Sequence, residues 1–195
     1  GGIDDANFSD LNKDIDTLSR KIFATIDDKK GEEMMAKIRE AKETKDSVGG
    51  ILETAVTGLP AGIGEPWFDS VESILSHALF SIPAVKGVEF GVGFSCADML
   101  GSYMNDNFVL EDNKITTKTN NNGGINGGIT NGMPVIFRCA VKPTPSISKE
   151  QETVDFINNE NTVLSVKGRH DPCIVQRAVP VVEAVTAITL LDIII

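Results

Sequence analysis

The spacing of apolar residues over the first quarter of the chain predicts two helices. Apolar side chains recur every three or four positions over residues 8–25 and again over residues 32–45. Ser9 is the expected N-cap of the first helix, because its hydroxyl oxygen can accept a hydrogen bond from a free N–H group of the first turn. Gly31 interrupts the pattern, so we expect a break between the two helices there.

Two further helices are predicted, one in the middle of the chain and one at its end. Residues 67–80 show an amphipathic pattern, whose inward residues would be Val71, Ile74, Leu75, Ala78 and Leu79. Residues 177–195 are almost entirely apolar. We therefore expect a buried helix there, with Pro180 in its first turns.

Between these helices, short stretches rich in β-branched residues predict strands and hairpins. Gly49-Gly50 falls at the start of the first stretch and indicates a bulge or a close approach of two backbones. The mixture of helices and hairpins is typical of an α+β fold. The predicted strands cover residues 46–57, 85–91 and 134–141, and the predicted hairpins cover residues 109–118, turning at Asp112-Asn113, and 153–167, turning at residues 158–161.

The composition and net charge argue against some classes of binding protein. The chain has 195 residues and a formal net charge of −10, which argues against a general binder of nucleic acid or of anionic membranes. The apolar C-terminal run contains Asp192 and is too short to cross a bilayer. The three cysteines lack the spacing of metal ligands, so we expect reduced thiols, no metal site and a cytoplasmic location. Because Gly1 stands where an initiator methionine would, we expect a processed or partial chain.

The candidate chemistry is concentrated in the stretch from Lys167 to Cys173. Arg169 could bind a phosphate or carboxylate with its guanidinium, and Asp171 could hold that arginine or move a proton. The same residues also fit a helix start, with Asp171 as N-cap and Pro172 at the first helical position. The stretch by itself leaves both interpretations open.

Two other loops carry groups suited to an anion. Residues 120–132 contain two pairs of glycines and could present backbone N–H groups to an anion, or could be a flexible tract. Residues 142–147 combine a lysine, a threonine and a serine with two prolines. They could form a rigid phosphate-binding loop or a simple exit from the preceding strand.

Five motifs, taken together, resemble the chorismate synthase family. They occur in the order of the family and at about its spacing, and the similarity runs from about Asp46 to the end of the chain. The motifs are Gly64-Glu65-Pro66, Ser81-Ile82-Pro83-Ala84-Val85-Lys86-Gly87, the loop from Asn122 to Ile129, Lys142-Pro143-Thr144, and Gly168-Arg169-His170-Asp171-Pro172-Cys173.

The resemblance implies a fold and an activity. The fold would be a β-α-β sandwich in which antiparallel sheets enclose helices, with about half of it in this chain. The activity would be the 1,4-elimination of phosphate from 5-enolpyruvylshikimate 3-phosphate to give chorismate, a step of aromatic amino acid biosynthesis. It would require reduced FMN, with NADPH as a candidate reductant, and the assembly would be a homotetramer.

The resemblance also implies a set of site residues. Arg169 and Asp171 would be catalytic, Asp171 acting with the flavin in proton removal and Arg169 lying between flavin and substrate. Two positions depart from the pattern: the family more often has asparagine at Pro83 and serine at Pro145. The implied flavin contacts are Pro83, Ala84, Gly127, Lys142, Pro143, Thr144, Pro145, Ser146 and Arg169.

One departure from the family is large. Its N-terminal Ser-His-Gly and Ser-x-Arg-Glu-Thr motifs do not occur here, and neither His77 nor His170 matches a catalytic histidine. Residues 1–195 therefore resemble the C-terminal portion of one domain, with residues 1–45 as a peripheral helical segment and 46–195 as the core of the flavin site. We expect this chain to be inactive without the N-terminal portion. The alternative is a non-catalytic flavin-binding or assembly subunit of a split enzyme.

Overall fold

Residues 2–195, as described by a computed structural model, fall into two units that are each assembled from separated stretches of chain. The loop unit comprises the chain up to Gly50 together with the segment Val141–Val179. The sheet unit comprises Ile51–Ala140 and Pro180–Ile195. None of the helices in residues 2–195 has the length and hydrophobicity needed to cross a bilayer.

Helices and short antiparallel hairpins alternate along the described chain, as expected for an α+β fold. The α-helices are α1 (Leu11–Ser19), α2 (Asp28–Glu43), α3 (Val71–Phe80), α4 (Gly101–Met104) and α5 (Val175–Ile194), with 3₁₀ helices at Trp67–Asp69 and Gly93–Asp98. The strands are β1 (Gly50–Val56), β2 (Val85–Phe90), β3 (Phe108–Glu111), β4 (Lys114–Thr117), β5 (Ile125–Asn126), β6 (Ile129–Thr130), β7 (Val135–Val141), β8 (Gln151–Asp155) and β9 (Glu160–Leu164).

Helix α1 is shorter than predicted and begins later. Its N-cap is Asp10, whose carboxylate accepts a hydrogen bond from the N–H of Lys13 at 3.3 Å. Ser9 lies outside the helix because its own N–H donates to the buried carboxylate of Asp14 at 2.8 Å. The helix also ends at Ser19, and the nearby Ile22 is fully exposed.

Gly31 does not break a helix, contrary to the prediction. It lies inside α2, which is capped by Asp27, and it is buried. A Cβ atom at this position would lie 2.5 Å from Oγ1 of Thr25, a buried side chain. Glycine therefore allows the helix to approach the preceding segment closely, at the expense of some intrinsic helix stability.

The core of the sheet unit forms around β7, the central strand of a sheet with the order β1-β7-β2. Val135, Phe137 and Cys139 alternate along β7 and are completely buried. Helix α3 packs against β2 and buries three of its five predicted inward residues completely, while Ile74 and Ala78 are half-buried. The three are Val71, Leu75 and Leu79.

The predicted hairpins are confirmed, with one shift in position. Strands β3 and β4 turn at Asp112 and Asn113, both in the left-handed region (φ 49° and 62°), which matches the right-handed twist of a hairpin. Strands β8 and β9 pair from Gln151↔Leu164 to Asp155↔Glu160, so their turn lies about two residues before the predicted one. At Gly49, a Cβ atom would contact the carbonyl oxygen of Val141, so the close backbone approach is confirmed there.

Helix α5 is less buried than predicted. Pro180 lies in its first turns as expected, but only Val182, Thr186, Thr189 and Leu190 are buried. The hydroxyl groups of both threonines donate to backbone carbonyls one turn earlier, which allows polar side chains to be buried without a loss of hydrogen bonds. On the opposite side, large apolar residues such as Ile188 and Leu191 are exposed.

The three cysteines should differ sharply in reactivity. Burial raises the pKa of the Cys139 thiol to about 11 and also raises the pKa of Cys173, whereas Cys96 is exposed. At pH 8 only about one Cys139 in a thousand would then be a thiolate, the form that reacts. We expect a disulfide reagent to modify one thiol quickly in the folded chain and all three after denaturation, as measured by absorbance. Rapid reaction of a second thiol in the folded chain would contradict this.

Candidate functional site

The residues proposed to contact a flavin are distributed over both units. Pro83, Ala84 and Gly127 belong to the sheet unit, and residues 142–146 together with Arg169 and Asp171 belong to the loop unit.

In the sheet unit, Pro83 and Ala84 form the tight connection between α3 and β2. The N–H of Val85 donates to the carbonyl oxygen of Ile82 at 3.2 Å, which closes the turn. Ala84 adopts φ 74°, in the left-handed region, which costs an alanine about 1–2 kcal/mol. Such a conformation persists only where the surrounding structure enforces it, here the burial of Ile82 and Val85 on either side.

Gly127 and Gly128 form the two-residue turn between β5 and β6, with φ 59° and 89°. The two glycines have different surroundings. A Cβ atom on Gly128 would lie 2.5 Å from the carbonyl oxygen of Glu65, so Gly128 permits close packing. Gly127 is exposed, and nothing lies within 4 Å of its Cβ position, which leaves its backbone open to a bound molecule.

The first half of the glycine-rich loop is ordered by an anion that belongs to the protein itself. The carboxylate of Asp106 accepts hydrogen bonds from the backbone N–H groups of Asn121 at 2.7 Å and Asn122 at 2.9 Å. It also accepts from the hydroxyl of Thr119 and the side-chain amide of Asn122. Burial favours a higher pKa for Asp106, but these hydrogen bonds together lower it below its ordinary value. These contacts favour an ordered start to the loop over a flexible tract.

In the loop unit, the segment from Lys142 to Ser146 follows β7 directly. The hydroxyl of Ser47 donates to the carbonyl oxygen of Thr144 at 2.7 Å and holds the middle of the segment. The Oγ1 atom of Thr144 is buried without a hydrogen-bond partner, the one such side-chain atom in the described part of this unit. Lys142 is exposed and forms no ion pair within residues 2–195. The Thr144 hydroxyl and the Lys142 ammonium group could both donate to an anion.

Ser146, at the end of this segment, is joined to His170. The Oγ atom of Ser146 lies 3.1 Å from Nδ1 of His170, and Nε2 of the same ring lies 2.8 Å from the carbonyl oxygen of Val166. Both ring nitrogens are thus engaged, which fixes the orientation of the imidazole.

Asp171 is held at both carboxylate oxygens. Oδ1 accepts a hydrogen bond from the N–H of Cys173 at 3.1 Å, and Oδ2 lies 2.6 Å from a guanidinium nitrogen of Arg177. Helix α5 begins only at Val175, so the predictions that Asp171 caps it and that Pro172 is its first residue are wrong. Asp171 instead closes a short turn before the helix. Arg169 is exposed and has no ion-pair partner in the described chain.

Sequence reasoning missed Ser47, Arg177 and Asp106 as supporting residues. Ser47 and Thr144 are 97 positions apart, and no local pattern signals such a contact. Arg177 lies in the first turn of α5, where a cation opposes the helix dipole, and this mismatch could have suggested a carboxylate partner nearby.

The family model described as chorismate synthase matches residues 5–195. The chain belongs to the chorismate synthase family. A chorismate synthase from Methanosarcina mazei is 49% identical over 178 residues, which cover 91% of this chain and 49% of the relative. One from Archaeoglobus fulgidus is 56% identical over 147 residues, covering 75% of this chain and 41% of the relative.

A solved structure supports the same assignment at the level of the fold. A crystal structure of chorismate synthase matches with a TM-score of 0.70 and 32% sequence identity, covering 87% of this chain and 44% of that chain. The predicted chorismate synthase-like α+β fold is therefore confirmed. This chain spans about half the length of the chorismate synthases that it matches.

The role of Asp106 can be tested by substitution. Asp106→Asn replaces an acceptor with an amide that opposes the incoming N–H groups, and we expect it to lower the free energy of unfolding by about 1.5–3 kcal/mol at pH 7. Because the folded-state pKa is lowered, this stabilisation is complete above the ordinary aspartate pKa of about 3.9 and is lost as the pH falls through the folded-state value.

Urea unfolding at several pH values measures both effects. Asp98→Asn is the matched control, since Asp98 is exposed. Equal stability of the two variants at pH 7 would contradict the proposed role of Asp106.

Proposed function

We propose that this chain supplies part of the active site of a chorismate synthase, which eliminates phosphate from 5-enolpyruvylshikimate 3-phosphate to give chorismate. Membership of the family carries the proposal, since a family model covers residues 5–195. We also propose that reduced FMN is the cofactor, that NADPH can serve as its reductant, and that the complete enzyme is a cytoplasmic homotetramer.

The donors of the loop unit support a phosphate-bearing cofactor. The buried Oγ1 of Thr144 has no partner, and leaving such a group unsatisfied typically costs about 1–3 kcal/mol. A phosphate oxygen would satisfy it, and Lys142 would contribute the opposite charge. Ser146 completes the polar loop, while Pro143 and Pro145 restrict its backbone. Gly127 and the strained turn at Ala84, with Pro83 beside it, would meet the flavin through backbone or van der Waals contacts.

The proposed reaction breaks two bonds in the substrate. One carbon–oxygen bond breaks as phosphate leaves and one carbon–hydrogen bond breaks as a proton leaves, so there is no net change in oxidation state. The reduced flavin, when bound, would lend electron density as phosphate departs. The exposed Arg169 would bind anionic groups of flavin and substrate, and Asp171 would accept or direct the proton. Arg177 holds Asp171 in place, at 2.6 Å.

The activity would require the portion of the family that this chain does not match. The family's Ser-His-Gly and Ser-x-Arg-Glu-Thr motifs, which supply general acids and most of the cations for the substrate, are absent from residues 1–195. We therefore propose that this chain alone binds flavin without turning substrate over. The second candidate is a non-catalytic flavin-binding or assembly subunit, and the same absence of motifs favours it.

Flavin binding tests the proposed cofactor site. In an anaerobic titration we expect the chain to bind reduced FMN, and Lys142→Ala or Thr144→Val to weaken binding about tenfold, a loss of about 1.4 kcal/mol. Riboflavin lacks the phosphate, so its affinity should be unchanged by either substitution. Lys118→Ala and Thr162→Val make the same chemical changes at exposed positions and should leave FMN affinity unaltered.

A chimera distinguishes enzyme from binding subunit. When this chain replaces the matching segment of a full-length chorismate synthase, we expect chorismate formation with reduced FMN, and Asp171→Asn in the chimera should reduce kcat by at least about a hundredfold. Flavin binding by a chimera that forms no chorismate would support the non-catalytic candidate. Chorismate release by the unfused chain would overturn the proposal that it is inactive alone.

A further inference from the structure

The two hydrogen bonds of His170 determine where its proton lies. The carbonyl oxygen of Val166, 2.8 Å from Nε2, can only accept a hydrogen bond, so Nε2 must carry the proton of the neutral ring. Nδ1 then has a free lone pair, and the hydroxyl of Ser146, 3.1 Å away, must donate to it. When His170 is neutral, the only hydrogen of the Ser146 hydroxyl is therefore used in the hydrogen bond to Nδ1.

This arrangement conflicts with direct binding of phosphate by Ser146. A phosphomonoester dianion accepts hydrogen bonds and has no hydrogen to donate. With its hydrogen directed at Nδ1, Ser146 would present only oxygen lone pairs to the phosphate, and the contact would be repulsive. The conflict is removed if His170 gains a proton. Nδ1–H then donates to Oγ of Ser146, and the hydroxyl hydrogen is free to donate to the phosphate.

We infer that binding of a phosphomonoester at Ser146 is coupled to uptake of one proton by His170, which makes His170 a positioning residue for the phosphate-binding loop. The inference rests on the proposed function, because it takes the phosphate to be that of FMN. Protonated His170 would also add a positive charge next to Ser146, in addition to the charge of the exposed Lys142.

The charged groups around His170 do not offer it another partner. Arg169 precedes it and is exposed, and Asp171 follows it but is engaged with Arg177 and the N–H of Cys173. Of the other charges on the neighbouring segments, Lys149 pairs with Asp46 at 2.9 Å and Lys167 is exposed. In the described chain, Ser146 and Val166 are the only hydrogen-bond partners of the ring.

Calorimetry of the full chain with FMN measures the coupling. In mildly alkaline buffer we expect uptake of about one proton per FMN, seen as a dependence of the binding heat on the ionisation enthalpy of the buffer. FMN affinity should fall about tenfold per pH unit over the same range. Riboflavin is the control ligand and should bind without proton uptake.

Two variants assign the proton. His170→Asn keeps an acceptor for the Ser146 hydroxyl but cannot be protonated, and Ser146→Ala removes the group that links phosphate to histidine. Both should abolish the proton uptake and bring the affinity for FMN closer to that for riboflavin. Uptake that persists in both variants would place the proton elsewhere, for example on the phosphate itself, and would overturn the inference.

The outcomes separate this inference from the proposed function. FMN binding without proton uptake would overturn the inference alone, whereas absence of FMN binding would overturn both. Nitrogen-15 NMR of the ligand-free chain tests the starting state independently of any ligand. It should find the neutral ring of His170 protonated at Nε2, and protonation at Nδ1 would overturn the inference.

Discussion

Burial of β7 is the constraint on which the sheet unit depends. Val135, Phe137 and Cys139 lie on one face of this strand and are completely inaccessible to water, and each such side chain contributes on the order of 1.5–3 kcal/mol when buried. The strict alternation along a strand sends the intervening residues to the other face. There Arg138 pairs with Glu89 of the adjacent strand β2 at 2.8 Å. The buried face therefore fixes the register of β7 within the sheet.

Two carboxylates order the loops that precede and follow β7 in the sequence. Asp106 binds the N–H groups of the glycine-rich loop, and Asp171 binds the N–H of Cys173 and the guanidinium of Arg177. The two carboxylates differ in the number of lone pairs that remain free to accept a further hydrogen bond or a proton. Asp106 accepts all four of its hydrogen bonds from Thr119, Asn121 and Asn122, which leaves it a structural role. Each carboxylate oxygen of Asp171 makes one of these contacts and keeps a second lone pair, so the group is positioned and can still accept a proton.

The parts of the fold that depend on local chemistry could be predicted from sequence. The turn at Asp112-Asn113 follows from the tolerance of these residues for a left-handed backbone, and α3 follows from its apolar spacing. Gly31 was misinterpreted because its role depends on the proximity of Thr25, a tertiary contact. The N-cap assignment of Asp171 failed for a different, local reason. An aspartate before a proline can satisfy the N–H two residues on without starting a helix.

The candidate site shows the same difference between local motifs and contacts that depend on folding. Arg169, Asp171 and the Lys142 loop were recognisable as motifs, but Ser47, Arg177 and the link between Ser146 and His170 depend on folding. These supporting contacts favour a binding loop over a simple exit from the strand. A loop with only a structural role would gain stability if the buried hydroxyl of Thr144 had a partner within the protein, since an unsatisfied buried group is costly. Its free Oγ1, close in sequence to the unpaired cation of Lys142 and to a serine held by histidine, favours a loop built to meet an external anion.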